Sequence, residues 1–66
     1  MDLDLYTREQ VQAITHLSRS TIYVMMLEGT FPRPLKLGER RVAWRGSDLK
    51  AWLESRPVAT IKEAAE

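Results

Sequence analysis

The stretch from Ser18 to Gly29, followed at once by Phe31-Pro32-Arg33-Pro34, constrains this chain more than any other. Ser18 is a favoured helix N-cap, and Gly29 stands where a left-handed terminator belongs. Pro32 and Pro34 then forbid helix and hold the chain extended. A short helix is therefore specified at both ends. Its first turn is crowded with polar and basic residues: Arg19, Ser20 and Thr21. At about 100° per residue, Ile22, Met25 and Met26 share one face and read as core. Ser20, Val24 and Leu27 fall on the opposite face, flanked by Tyr23.

A second short helix is predicted just upstream, from Thr7 to about Ile14. Thr7 is a good N-cap, and Gln10 three residues later completes a capping-box pattern. Val11 and Ile14 mark its buried stripe. Leu17 fills the turn, and His16 reads as a solvated turn residue. Two short helices joined by so brief a turn form a helix-turn-helix, whose second helix enters a DNA major groove N-terminus first. Ahead of them, Met1 to Leu5 alternates acidic and apolar residues, an extended lead-in whose Leu3 and Leu5 cover the core.

Beyond the prolines, Leu35-Lys36-Leu37 and Arg41-Val42-Ala43-Trp44 read as two short strands. Gly38-Glu39-Arg40 between them makes a compact, basic turn. A third helix follows, capped by Ser47 or Gly46, with Asp48 favourable at its positive end. Leu49, Trp52 and Leu53 form its apolar stripe, and Pro57 stops it. Val58 to Glu66 lacks such a stripe and is expected to be a frayed, mobile tail. The expected architecture is mainly α with a small β-hairpin: a winged helix-turn-helix of three helices plus a two-stranded wing. It occupies residues 1–56, with 57–66 as the tail. The expected core is Val11, Ile14, Leu17, Ile22, Met26, Leu35, Trp44, Leu49, Trp52 and Leu53.

Composition narrows the function. A chain of 66 residues makes one small domain with a modest core. It has no cysteine and a single histidine, so no metal site or other cofactor is expected. No apolar run approaches the ~20 residues that cross a bilayer, and no signal peptide opens the chain, so a cytoplasmic protein is expected. No nucleophile–base pair or glycine-rich phosphate loop points to an enzyme. The net charge is only +1, but it is unevenly spread. From Ser18 to Arg45 there are six positive and two negative residues, a net +4; the remainder carries four positive and seven negative, a net −3. A polarised surface of this kind suits phosphate.

The runs Leu17-Ser18-Arg19-Ser20-Thr21-Ile22-Tyr23, Glu28-Gly29-Thr30-Phe31-Pro32-Arg33-Pro34, Lys36-Leu37-Gly38 and Arg41-Val42-Ala43-Trp44 resemble the AlpA family. These are small regulators of prophages and integrative elements, related to phage excisionases and more distantly to the DNA-binding domain of MerR regulators. The resemblance covers about Leu5 to Arg56. It implies a winged-helix fold and sequence-specific binding to double-stranded DNA. The output it implies is control of a promoter on a mobile element, DNA bending for excision by an integrase, or both. The chain departs from the family pattern at Val24 and Leu27, where members commonly carry a basic residue. That shifts phosphate contact from the helix towards the wing.

The candidate contacts follow. Arg19 suits a guanine edge or a phosphate, and an arginine in a first turn is otherwise unfavourable against the helix dipole. Ser20 and Thr21 suit phosphates or bases, although Thr21 is nearly as well placed for a local cap. Tyr23 is suited equally to a phosphate and to packing. Val24 suits a thymine methyl, or joins Leu27 in an apolar patch for a partner. Arg40 and Arg41 are the wing contacts, of which strand alternation lets only one reach DNA. Arg33 and Lys36 are candidate phosphate contacts. Trp44 and Trp52 read as core rather than base-stacking platforms.

Two classes of function fit: a DNA-binding regulator, and a protein-interaction module that docks a regulator or recombinase. With Val24 and Leu27 as the exposed apolar pair of note, the free protein is expected to be monomeric, with several copies binding adjacent DNA sites.

Overall fold

The computed structural model describes residues 4–65. Along the chain run β1 (Leu5–Tyr6), α1 (Arg8–Thr15), α2 (Arg19–Glu28), β2 (Leu35–Lys36), β3 (Val42–Arg45), α3 (Gly46–Glu54) and α4 (Ile61–Ala64). Among the described residues this is a mixed α/β domain of four helices and a three-stranded antiparallel sheet.

The helix ends follow the local signals. Thr7 and Gln10 form a reciprocal capping box: Gln10 N donates to Thr7 Oγ1 at 3.2 Å, and Thr7 N donates to Gln10 Oε1 at 2.9 Å. Three residues, His16, Leu17 and Ser18, separate α1 from α2. His16 takes up the left-handed turn at φ 60°, a conformation in which histidine is enriched among non-glycine residues. Ser18 caps α2, accepting from Thr21 N at 3.2 Å. Gly29 ends it at φ 79°, and the Thr30 N–H returns to the Met25 carbonyl at 2.9 Å.

The sheet is larger than a two-stranded hairpin. Its order is β1-β3-β2, with Leu35 opposite Ala43, Lys36 opposite Val42, Tyr6 opposite Trp44 and Leu5 opposite Arg45. The lead-in is thus a strand, because the second edge of β3 carries polar groups that need partners. Gly46 N, at the start of α3, donates to the Asp4 carbonyl at 3.0 Å. The lead-in therefore satisfies one of the open N–H groups of that helix. β3 runs straight into α3, with Arg45 as N-cap and no side-chain cap, so neither Ser47 nor Gly46 caps it. Leu5 does not cover the core; it is 47% exposed, and Tyr6 packs inward in its place. Leu3 lies outside the described residues.

Val11, Ile22, Phe31, Trp44 and Leu49 form the buried cluster, with Tyr6, Leu17, Met25, Met26 and Trp52 packed against it. Leu35 is half-buried. Two expected core residues are not there: Ile14 is 45% exposed and Leu53 is 46% exposed. In α1 the covered side runs through Arg8, Val11, Gln12 and Thr15, the helical spacing that leaves Ile14 to one flank. Thr15 tolerates that side because its hydroxyl donates to the Val11 carbonyl at 2.8 Å. In α3, Trp52 and Leu53 flank the Leu49 stripe on opposite sides. Phe31 covers the Trp52 side, with ring centroids 4.7 Å apart.

Phe31 itself, absent from the expected core, is buried and clamped. Trp52 Nε1 donates to the Thr30 carbonyl at 2.7 Å, and Trp44 Nε1 donates to the Pro32 carbonyl at 2.8 Å. Both indoles are thereby satisfied, as buried ones require. After Pro57 the chain forms the single turn α4, closed by a capping box between Thr60 and Glu63. None of its residues is buried.

Candidate nucleic-acid interface

The outward side of α2 collects what the inward side excludes. With Ile22 buried, Ser20, Val24 and Leu27 face away from the core, and Leu27 is 84% exposed. Arg19 and Ser20 stand exposed in the first turn. Thr21 is also exposed, but its hydroxyl accepts from Ser18 Oγ at 2.9 Å, which ties it to the cap. Arg19 lies over the Tyr23 ring, 5.4 Å from its centroid, a cation–π contact one helical turn along.

Arg8, which is not among the residues that the sequence singles out, belongs to the same cluster. It opens α1 on the covered side of that helix and reaches Tyr23. The Arg8 guanidinium, then that of Arg19, hold the Tyr23 phenol below its usual value of 10.0. Its signal in the sequence is its place one turn ahead of Val11, which only the true buried stripe reveals. Glu9 sits beside it, 3.3 Å from Arg8 Nη2. Its own backbone N–H, at the open start of α1, keeps its carboxyl below the ordinary 4.5.

Arg40 and Arg41 lie outside β3, in the connection that Leu37 N closes by donating to the Arg41 carbonyl at 2.8 Å. Strand alternation does not govern them there. Both border one groove, together with Arg8. Lys36 is exposed on β2. Arg33 is exposed after α2. It borders a second groove of about 370 Å³ with Tyr23, Met26, Leu27 and Pro34. The candidate residues thus fall into an Arg19–Tyr23–Arg8 cluster, an Arg40–Arg41 tip beside Arg8, and Arg33 in a groove that it shares with Tyr23.

Among the described residues no group of three or more His, Cys, Asp or Glu is arranged to hold a metal ion. No helix among them is long and apolar enough to cross a membrane.

The exposed start of α2 and the tip of the hairpin are both polar and basic. Residues 5–57 match the family described as prophage CP4-57 regulatory protein (AlpA), and the chain belongs to that family. It is also similar to the uncharacterized protein ORF88 of Enterobacteria phage P4, with 43% identity over 47 residues. That match takes in 71% of this chain and 53% of the phage protein, so the chain spans about half the length of that relative.

Proposed function

We propose that the chain is a winged helix-turn-helix protein that binds a specific double-stranded DNA sequence and regulates a promoter on a prophage or integrative element. In this reading residues 1–56 are the DNA-binding unit and 57–66 are a tail. The observation that carries it is the exposed first turn of α2, where Arg19 and Ser20 extend from a helix whose opposite face is locked into the core through Ile22. Such a helix presents its N-terminal residues to base edges while the body holds its angle. Arg19, Ser20 and Val24 meet the major groove, and the Tyr23 hydroxyl meets a phosphate. Arg33, Lys36, Arg40 and Arg41 meet phosphates. Thr21 serves mainly as part of the Ser18 cap, with its exposed position leaving room for a phosphate.

The same surface serves an excisionase-type role, bending attachment-site DNA for an integrase. The protein works in the bacterial cytoplasm at the nucleoid. It is monomeric when free and binds adjacent repeats in several copies, which sedimentation of the free and DNA-bound protein checks. A footprint on the host element separates the two outputs, by its position at a promoter or beside an attachment site.

Arg19→Ala is the direct test. If Arg19 reads a base, about 1–3 kcal/mol of discrimination between the footprinted site and random DNA disappears. Equal weakening on both duplexes assigns it to phosphate, and no loss on either removes it from the interface.

A second reading is favoured by the groove of Tyr23, Met26, Leu27, Arg33 and Pro34. Its apolar character suits a protein partner, either a regulator or a recombinase. Salt separates the two: DNA binding weakens steeply through counterion release, whereas an apolar contact does not.

A further inference from the structure

The groove between the hairpin and the start of α1 has a volume of about 420 Å³ and two kinds of lining. Leu5, Leu37, Val42 and Ala43 give it an apolar floor. The first three are about half-exposed, at 47%, 52% and 46%, so the chain itself does not cover them. Arg8, Arg40 and Arg41 border it, with Glu9 beside Arg8. Cationic groups thus come from two separate elements onto one apolar strip.

Arg8 is held only weakly where it stands. It pairs with Glu9 at 3.3 Å, but that carboxylate side chain is 73% exposed, and an ion pair so open to water is worth little. Its Nε is out of contact with water and has no hydrogen-bond partner among the described residues. Exchanging Glu9 for a phosphate lets the terminal Nη groups of Arg8 make two parallel N–H bonds. In the first turn of α1 the Glu9 N–H is engaged by its own carboxylate and the Gln10 N–H by Thr7 Oγ1, so the arginines and not the helix end would carry an anion.

We propose that this groove seats the sugar–phosphate backbone of one DNA strand, with Arg8, Arg40 and Arg41 on neighbouring phosphates and deoxyribose faces on the apolar floor. This rests on the DNA-binding reading above. Alternating anionic and apolar units are what distinguish a nucleic-acid backbone from a free phosphate, and the groove offers a partner for each. Arg8 is near enough to Tyr23 for its charge to act on the phenol, which sets the groove close to the Arg19–Tyr23 pair of α2. Glu9 holds Arg8 in reserve and competes with the phosphate for it. The contact reads no base, so it acts on every sequence alike.

The test uses the full chain and a short duplex of random sequence, with affinity measured across a salt series. Arg8→Gln keeps much of the side-chain stem while removing the charge. It is expected to weaken binding roughly tenfold at low salt and to reduce the log–log salt slope by about 0.9, the value of one phosphate. Lys50→Gln on α3 is the charge-matched control and leaves the slope unchanged. Glu9→Gln is expected to tighten binding, and by more than Glu54→Gln, which removes the same charge elsewhere. The methyl resonances of Leu5, Leu37 and Val42 should shift on adding duplex and stay still on adding inorganic phosphate.

Equal slopes for Arg8→Gln and Lys50→Gln overturn the proposal, as does a Glu9→Gln variant no tighter than Glu54→Gln. Methyl resonances unmoved by duplex do the same for the apolar floor. In each of these cases the wild type still binds DNA and the broader reading stands. A wild type that binds no duplex at any salt overturns both.

Discussion

The base and the tip of the segment from Thr30 to Trp44 are built on opposite principles. At its base, Phe31 is buried edge-on to the Trp44 and Trp52 rings, and the carbonyls on either side of it each accept an indole N–H. At its tip, Gly38, Glu39 and Arg40 are exposed, inside a connection closed by the bond from Leu37 N to the Arg41 carbonyl. The base uses aromatic area and buried hydrogen bonds to fix direction. The tip places charge on the surface, where it adds little to folding and is free to meet a ligand. Stability and binding should therefore be separable along a single short stretch of chain.

Trp44→Ala strikes the base and should have the largest effect. Trp44 is 1% exposed, and its truncation is expected to cost about 3–5 kcal/mol. That threatens folding in so small a domain, and denaturant titration measures it. A loss below about 1 kcal/mol would break the contrast between base and tip. Next comes a pair within α3. Leu49→Ala should cost about 2–5 kcal/mol and Leu53→Ala under about 1 kcal/mol, since one is buried and the other half-exposed. Equal losses would restore the symmetrical stripe that the sequence suggests.

Changing Arg40 and Arg41 together to alanine should move stability by no more than about 0.5 kcal/mol. It should instead flatten the salt dependence of DNA binding by about 0.9 for each phosphate that the tip no longer neutralises. A clear fall in melting temperature would mean that the tip is structural after all. The smallest effect lies in α4. Thr60 N donates to Glu63 Oε1 at 2.8 Å, and this bond keeps the Glu63 carboxyl below its ordinary 4.5. A folded value below the unfolded one means that the cap helps fully above about pH 4.5 and is lost as pH falls through the folded value. Amide shifts of Ile61 to Ala64 should move towards coil on acidification, while those of Ile22 and Trp44 should not follow them in that range.

The parts of the fold that are legible in the sequence are those decided within a few residues. The Thr7–Gln10 box, the Ser18 cap and the Gly29 terminator each concern neighbours in sequence, and each stands where expected. The hairpin is also legible, from its turn residues and apolar strands. β1 is not, because a two-residue strand has no period of its own and exists only through a partner some forty residues away. Arg8 escapes notice for a related reason. The apolar residues Val11 and Ile14 suggest one buried stripe, whereas packing selects Val11 and Thr15 and turns Arg8 inward towards Tyr23. Phe31 carries no periodic signal at all, since it stands alone between a helix terminator and a proline.

The sequence by itself determined where α1 and α2 begin and end, the three-residue turn that joins them, the exposure of Arg19 and Ser20, and the basic hairpin. Capping, proline restriction and the helical period act locally, so they are written in adjacent residues. Only the tertiary structure decided which flank of each helix is covered, which edge of β3 is paired, and which arginines share a groove. Those outcomes depend on where distant elements meet. A helix of eight or nine residues offers its neighbours a stripe only a few side chains long. Whether Ile14 or Thr15 is buried, and whether Trp52 or Leu53 is covered, turns on the placement of β3 and Phe31, which no local rule specifies.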